Sequence, residues 1–286
     1  MERLDSLLCC VRRGRGLSVV ALALWAAPAF ADPPYMGRDG KPLPFRTEAE
    51  MIAYLETATV VSTEEMSAGT NKKKRKVELE QNGVRVRAIH RNTYDYRDMA
   101  SVGFVDSYLS EIAAHELSRL LGLDFVPPVV KRKVKKMGSL QLWIEGATTE
   151  ADRLRGDIEP PDSERFQQQV DVMRVFDNLI ANTDRNPGNM IIDPDWRVWF
   201  IDHTRSFAGF RELREPDRIV RCERSLWYQL QNVSDAQIKA SVKRYAPRYV
   251  HQLLKRRQLV VDLIRERIAA EGEENVIFDW STGGSG

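Results

Sequence analysis

The sequence predicts an α+β fold with two lobes, a small β-rich lobe over residues 48–146 and a larger helical lobe over residues 147–280. In the first half, apolar and charged residues alternate on both sides of an Asn-Gly pair, which predicts a β-hairpin. In the second half, apolar residues recur at helical spacing over long stretches. The composition of the 286 residues, 43% hydrophobic and 29% charged, is that of an ordinary globular chain.

The first 31 residues have the pattern of a secretory signal peptide. Three arginines between positions 12 and 15 precede an apolar run at 17–27, and Ala-Phe-Ala at 29–31 matches a cleavage site. The apolar run is short for a membrane span, so an uncleaved anchor is the weaker alternative. We therefore expect cleavage after Ala31, a secreted or periplasmic protein, and no membrane span in the mature chain.

Charge argues against a nucleic-acid partner. The predicted signal peptide contains four of the 43 basic residues and two of the 41 acidic ones, so the rest of the chain is formally neutral. A neutral chain lacks the excess positive charge of nucleic-acid-binding domains. The run KKKRKV at 72–77 resembles a nuclear localisation signal, but it continues into an alternating strand pattern.

The cysteines and histidines of the sequence argue against disulfide and zinc sites. Cys9 and Cys10 lie in the signal peptide, so Cys222 alone remains and is expected to be an inert thiol without a disulfide. The four histidines, at positions 90, 115, 203 and 251, do not share the spacing of zinc ligands. The sequence therefore argues against a zinc enzyme.

The β-rich half is predicted to contain, in order, an extended leader (32–47), a short helix (48–55), two hairpin strands (76–81 and 84–89), a helix (106–121) and two more strands (one ending near 134, then 139–144). Asn82-Gly83 is the hairpin turn. Gly122 ends the helix, and Met137-Gly138 predicts the turn between the last two strands. Residues 142–146 should then connect the lobes.

The helical half is predicted to contain, in order, a long helix (163–181), a turn-rich loop (182–189), two short hairpin strands (190–192 and 198–201) and three helices (227–230, 235–245 and 249–270). Apolar residues such as Phe166, Val170 and Met173 mark the buried side of the long helix. The arginines of the last helix, including Arg256, are expected on a solvated face. Residues 281–286 predict a flexible tail.

Three polar residues around the second hairpin are the candidate catalytic and metal-binding groups. Asp184 lies in the loop after the long helix, Asn189 follows five residues later, and Asp202 comes directly after the last hairpin strand. Phosphoryl transfer needs a carboxylate that orients and deprotonates the attacking hydroxyl, and hard oxygen ligands that hold Mg²⁺ on the phosphates. Alone, the loop could also be a surface turn with local hydrogen bonds.

The order of these residues is that of protein kinases, and the residues around them resemble the sequence motifs of the atypical kinases. Residues 176–185, FDNLIANTDR, and 201–209, IDHTRSFAG, are similar to the F-D-x-L-x-x-N-x-D-R-H and L-D-N-G-R-A-F-G runs of secretory-pathway kinases of the Golgi casein kinase type. The HipA kinases and the phosphatidylinositol 3/4-kinases show related patterns. The resemblance covers about residues 67–210 and implies a protein-kinase-like fold, with Asp184 catalytic and Asn189 and Asp202 binding metal.

The resemblance also implies nucleotide-binding residues in the small lobe. A G-T-x-x-K loop covers the phosphates in these families, and Gly69, Thr70 and Lys73 match it. The families then have A-x-F-K at the end of a strand, where this chain has Ala-Ile-His and Arg91. Arginine binds phosphate but is not interchangeable with that lysine.

Glu111 is the remaining nucleotide-site residue that the resemblance implies. The helix 106–121 is similar to the E-I-A-A-x-x-L-x-R-L-L helix of the secreted kinases, whose first Glu is Glu111 here and is expected to pair with Arg91 or assist the metal. Helical periodicity favours Glu116 for the buried side instead. Asp177 and Arg185 are expected to anchor the catalytic loop.

These features predict an exported ATP-dependent phosphotransferase that uses Mg²⁺ or Mn²⁺. Its acceptor would be a protein, a glycan or a lipid head group. Two alternatives remain: a catalytically silent kinase-fold binding module and an AMP-transferring pseudokinase. Arg91 and the single loop glycine favour silence, whereas Asp184, Asn189 and Asp202 favour activity.

Overall fold

The computed structural model describes residues 35–66, 74–97 and 103–280, and the predicted signal peptide and tail lie outside these ranges. The chain is a mixed α/β protein. The first half contains α1 (Glu48–Thr57), β1 (Thr59–Glu65), β2 (Lys74–Gln81), β3 (Val84–Arg91), β4 (Tyr94–Arg97), β5 (Phe104–Ser107), α2 (Tyr108–Leu120), β6 (Val129–Lys133) and β7 (Met137–Leu142). The second half contains β8 (Thr148–Thr149), α3 (Glu150–Arg155), α4 (Ser163–Ile180), β9 (Met190–Ile192), β10 (Val198–Phe200), β11 (Cys222–Glu223), α5 (Arg224–Asn232), α6 (Asp235–Lys243), α7 (Val250–Glu271), α8 (Glu273–Val276) and β12 (Ile277–Phe278).

The largest sheet has five antiparallel strands in the order β1-β2-β3-β7-β6. Its centre is the predicted hairpin of β2 and β3, in which Gln81 lies opposite Val84. Asn82 and Gly83 both have positive φ, 55° and 79°, as a two-residue hairpin turn requires. Helix α2 lies in the chain between β3 and β6 of this sheet, so the sheet and helix form from one continuous segment.

The two faces of the sheet differ in character. Val77 and Leu79 of β2 are fully buried in a hydrophobic cluster that α1 joins through Met51. Because side chains alternate along a strand, Lys74 and Lys76 lie on the opposite face. One face of the sheet is therefore core, and the other carries the charged groups described below.

A larger hydrophobic cluster surrounds α4. Val172 and Phe176 of α4 pack there with Ile264 of α7 and Leu117 of α2. Helix α4 ends at Ile180, and the capping residue Ala181 adopts a left-handed conformation with φ 51°. This abrupt end releases the chain into the loop that carries Asp184.

The predicted turn at Met137-Gly138 is wrong, because β7 already begins at Met137. Gly138 serves close packing instead of a turn. A Cβ atom there would overlap the carbonyl oxygen of Arg91 and lie 2.5 Å from His90 Nε2. The glycine lets β7 approach the end of β3, where Arg91 pairs with Ser139.

The expectation that Arg256 lies on a solvated face is also wrong. Its side chain is fully buried, and its guanidinium donates hydrogen bonds to the carbonyl oxygens of Leu179 at 2.9 Å and Phe210. Burial lowers the pKa of Arg256 to about 10. The carbonyl of Leu179 belongs to the last turn of α4, where the helix dipole favours a cation.

Several short elements were not predicted. The hairpin of β4 and β5 and the two-residue strands β8, β11 and β12 are too short for a periodic pattern to show. Cys222 lies in β11 and is buried, and burial raises the pKa of its thiol well above the ordinary value, in keeping with an inert thiol. Within the described ranges, no helix is both long enough and apolar enough to cross a bilayer.

Candidate active site

Asp202 lies where the β9–β10 hairpin returns towards the five-stranded sheet. Its φ of 58° is left-handed, a conformation that aspartate adopts more readily than most residues. The Thr204 hydroxyl donates a hydrogen bond to Asp202 Oδ1 at 3.2 Å. Just before it, the Ile201 amide donates to the carbonyl of Asn189 at 3.3 Å. The end of the hairpin is thereby bonded to the loop that precedes it.

The loop after α4 holds Asp184 through its backbone. The Asp184 amide donates to Asn182 Oδ1 at 3.1 Å, and its carbonyl accepts from Asn186 Nδ2 at 2.9 Å and Asn189 Nδ2 at 2.8 Å. Three amide side chains therefore fix the turn. The Asn189 side chain is thus engaged through its nitrogen, and its Oδ1 is the atom that could ligate a cation.

Asp177 and Arg185 anchor this loop, as the sequence predicts. Arg185 Nε and an amino nitrogen donate to the two carboxylate oxygens of Asp177 at 2.7 and 3.0 Å. The other amino nitrogen donates to the carbonyls of Ile201, at 2.9 Å, and Asn189. A two-point guanidinium–carboxylate contact sets orientation as well as distance. One arginine therefore joins α4, the loop and the hairpin.

Two cations face Asp202 from the sheet. Lys74 Nζ of β2 lies 2.5 Å from Asp202 Oδ2, and a terminal nitrogen of Arg91 of β3 lies 3.9 Å from the same oxygen. Burial alone raises the pKa of Asp202, but Arg91 and Lys74 together hold that pKa well below its usual range. The Asp202 carboxylate is therefore ionised and is stabilised by the two cations.

Glu111 of α2 completes this buried group. It is fully buried, 3.6 Å from an Arg91 terminal nitrogen and 3.6 Å from His203 Nδ1. Burial raises the pKa of Glu111, but Arg91 and then His203 lower it by more than burial raises it. The pKa of Glu111 therefore lies below its ordinary value. Neither carboxylate oxygen accepts a hydrogen bond from the described residues. Unsatisfied buried carboxylate oxygens mark a place where a further cation or water would be stabilised.

The resemblance to the kinase helix indicated Glu111 as the buried acid of α2, whereas helical periodicity favoured Glu116. Glu111 is fully buried, whereas Glu116 is only partly so. The expected contact between Glu111 and Arg91 is present. Helical periodicity failed because it reports the face packed on the hydrophobic core, and Glu111 is buried against charged groups instead.

The sequence missed Lys74. Gly69, Thr70 and Lys73, expected at the phosphates, lie outside the described residues. Strand parity places Lys74 on the same face as Lys76, opposite the buried Val77, but it does not indicate the contact with Asp202.

Arg205 was also missed. One of its terminal nitrogens lies 3.4 Å from Asp184 Oδ1, and its Nε lies 3.7 Å from Asp106 Oδ2 of β5. Its guanidinium lies over the Phe104 ring, 5.8 Å from the ring centre. Arg205 thus connects the expected catalytic carboxylate to the β4–β5 hairpin.

At the connection after β7, two cationic side chains lie over the Trp143 ring. Lys76 Nζ lies 5.0 Å from the centre of the Trp143 ring and the Arg87 guanidinium 5.7 Å from it. Arg87 in turn donates to Glu145, with Nε at 2.6 Å. The Trp143 amide donates to the Arg87 carbonyl at 3.0 Å, which continues the pairing of β3 with the connecting segment.

The structure therefore brings Arg91, Glu111 and Asp202 together, and it bonds the loop of Asp184 and Asn189 to the base of the same hairpin. Within the described ranges, no cluster of three or more His, Cys, Asp or Glu side chains is arranged to hold a metal by itself. A scan against models of protein families and a search of characterised proteins found no match to this chain.

Proposed function

We propose that this chain is an exported ATP-dependent phosphotransferase with a two-lobed, protein-kinase-like fold. The observation that carries the proposal is the convergence of Lys74, Arg91 and Glu111 on the buried, ionised Asp202. An ordinary surface loop would not require two cations and a second buried acid around one carboxylate. Residues that are buried, charged and gathered from distant segments favour a functional site.

The order of the elements supports the same proposal. Protein kinases need an ion pair between a strand lysine and a helix glutamate, together with a metal-binding aspartate. Here Arg91 ends β3, the third strand of the sheet, and Glu111 lies on the following helix, 3.6 Å away. Arg91 would replace the lysine, keeping the charge with a longer and planar group.

The residues present fit a divalent cation. Asp202, Oδ1 of Asn189 and the two Glu111 oxygens, which accept no hydrogen bond from the described residues, are hard oxygen ligands, which Mg²⁺ and Mn²⁺ prefer. These side chains would hold the cation, with water and phosphate oxygens completing its coordination. When bound, the cation would neutralise charge on the phosphates.

In the proposed reaction, the γ-phosphoryl group of ATP passes to an acceptor hydroxyl. The bond to the β-phosphate oxygen breaks, a bond to the acceptor oxygen forms, and ADP leaves. Asp184 orients the hydroxyl and accepts its proton, while Lys74 and Arg91 bind phosphate oxygens. The acceptor would be a hydroxyl of a protein, a glycan or a lipid head group, in keeping with the predicted signal peptide.

One observation favours the silent binding module as a second candidate. Lys74 Nζ is already 2.5 Å from Asp202 Oδ2, so the chain's own cation competes with a metal for this carboxylate. A nucleotide whose phosphates attract Lys74 would relieve that competition. An AMP-transferring enzyme would use the same residues with the nucleotide bound differently.

Nucleotide-dependent thermal stability tests the proposal. The purified protein is heated with ATP, with and without Mg²⁺ or Mn²⁺, beside Asp202→Asn and the control Asp195→Asn, an exposed acid in the turn of the same hairpin. A ligand that binds only the folded state raises the melting temperature. We expect a metal-dependent rise in the wild type and the control, and none in Asp202→Asn.

Label in the γ- or α-phosphate then separates the candidates. Transfer of γ-label supports the kinase, transfer of α-label supports AMP transfer, and binding without transfer supports the silent module. No thermal shift of the folded wild type at saturating ATP would refute nucleotide binding altogether.

A further inference from the structure

His203 follows Asp202 directly, and neither composition nor zinc-ligand spacing gives it a role. Its side chain is fully buried. The Phe176 ring of α4 meets the imidazole edge to face, with ring centres 6.0 Å apart. The ring therefore packs on an apolar side chain, and its two nitrogens lie near two charged side chains.

The first partner is Arg185. Its guanidinium has five N–H donors, and the structure provides five acceptors: the two oxygens of Asp177, the carbonyls of Asn189 and Ile201, and His203 Nε2 at 3.1 Å. Since arginine can only donate, His203 Nε2 must accept. His203 thus supplies the fifth acceptor of the arginine that anchors the catalytic loop.

The second partner is Glu111. With Nε2 accepting, the ring proton lies on Nδ1, and Nδ1 is 3.6 Å from Glu111 Oε2. A donor therefore faces the carboxylate and an acceptor faces the guanidinium. The ring matches both neighbours in only one of its tautomers.

We propose that His203 is a positioning residue: its Nε2 accepts from Arg185 and its Nδ1 faces Glu111, so the ring sets the Asp184 loop and Glu111 of α2 in register on either side of Asp202. The ring connects three segments that are distant in sequence, at residues 111, 185 and 203. Its contacts are to the anchors of the site and not to the reacting atoms. The effect on turnover rests on the proposed function, whereas the tautomer and its contacts do not.

The tautomer is measured directly by ¹⁵N NMR of the imidazole nitrogens in the wild-type protein at neutral pH. His203→Phe identifies the resonances by removing them, and His251→Phe, which alters an exposed histidine, is the matched control. We expect His203 to show a protonated Nδ1 and an unprotonated Nε2. A protonated Nε2 would overturn the proposal, whatever the activity of the protein.

Kinetics separate positioning from mere support of the fold. We expect His203→Phe to lower kcat by about 10- to 100-fold, the usual effect of removing a partner that orients a functional residue, with KM for ATP changed far less. His203→Gln, whose amide oxygen can accept from Arg185, should recover most of the loss, and His251→Phe should resemble the wild type. Equal kcat in folded His203→Phe and wild type would overturn the positioning role.

The NMR and kinetic experiments distinguish a failure of this proposal from a failure of the proposed function. If the wild type neither binds ATP nor transfers phosphate, the proposed function is refuted, and the NMR result still decides whether His203 accepts from Arg185. If the wild type is active and Gln restores no more activity than Phe, the acceptor at this position does not position the loop.

Discussion

Lys74 Nζ lies 2.5 Å from Asp202 Oδ2, although 128 positions separate the two residues in the chain. The contact joins the first residue of β2 to the residue two positions after the end of β10. Coulombic attraction between partly buried charges is much stronger than between exposed ones. This ion pair therefore fixes the sheet against the hairpin and, at the same time, occupies the carboxylate that we propose as a metal ligand.

Replacing Lys74 should change nucleotide and metal binding in opposite directions. Lys74→Met removes a phosphate contact, so ATP should bind about tenfold more weakly, the equivalent of about 1.4 kcal/mol. It also frees Asp202, so Mn²⁺ without nucleotide should bind more tightly. Calorimetric titration measures both. Lys76→Met, on the same sheet face but over Trp143, is the control, and a Lys74→Met variant that binds both ligands as the wild type does would contradict the competition.

Acid should weaken the fold through Asp202 and Glu111. The pKa of each is lower in the folded state than its ordinary value. Such carboxylates contribute stability that is fully present above their unfolded pKa, about 4, and lost as pH falls through the folded pKa. We expect the difference in unfolding free energy between wild type and Asp202→Asn to shrink as pH falls below about 4.

Urea unfolding at a series of acidic pH values measures this difference. Asp195→Asn, in the exposed turn of the same hairpin, should run parallel to the wild type. Parallel curves for Asp202→Asn as well would show that Asp202 is not stabilised by its cations.

Removing the charge of Arg91 should be costly, because Glu111 would be left buried beside fewer cations. Arg91 is 2% exposed and also donates to Gln141 Oε1 at 3.2 Å. Breaking a buried ion pair from one side destabilises by about 3–5 kcal/mol, so Arg91→Met should lower the unfolding free energy by that amount. Arg91→Lys keeps the charge and loses the Gln141 contact, so it should cost about 1 kcal/mol.

Double substitution tests whether the pair is the cause. Arg91→Met combined with Glu111→Gln should cost less than the sum of the two single changes, because the second change removes the unpaired charge. Urea unfolding gives all four values. Simple additivity would show that Arg91 and Glu111 do not interact.

Much of the fold could be predicted from the sequence, because its signals are local. The Asn82-Gly83 turn, the alternation of β2 and the periodicity of α4 each depend on residues close in the chain. The candidate site depends on contacts over long separations, and only part of it was accessible. The motif indicated Asp184, Asn189 and Asp202, but no local pattern could show that Lys74 meets Asp202.

His203 and Arg256 show the same limit. Arg256 resembles its exposed neighbours in a charged helix, and its burial depends on the carbonyls of Leu179 and Phe210, far away in sequence. His203 bridges Arg185 and Glu111, so its role exists only once three segments have met. Gly138 was misinterpreted for a related reason, since a glycine in sequence does not distinguish a turn from a close approach of two strands.

Gly138→Ala should disturb the site without changing any charged residue. The added methyl group would overlap the Arg91 carbonyl and lie 2.5 Å from His90 Nε2, and His90 is fully buried, so neither neighbour can move freely. Overpacking of this kind costs about 1–3 kcal/mol. Because the strand that must shift carries Arg91, we expect weaker ATP binding together with lower stability, measured by thermal shift and urea unfolding. Gly156→Ala, where the methyl group would meet a movable Ile158 side chain at 3.2 Å, is the matched control and should leave ATP binding unchanged. Lower stability in Gly138→Ala with unchanged ATP affinity would mean that the position of Arg91 does not govern nucleotide binding.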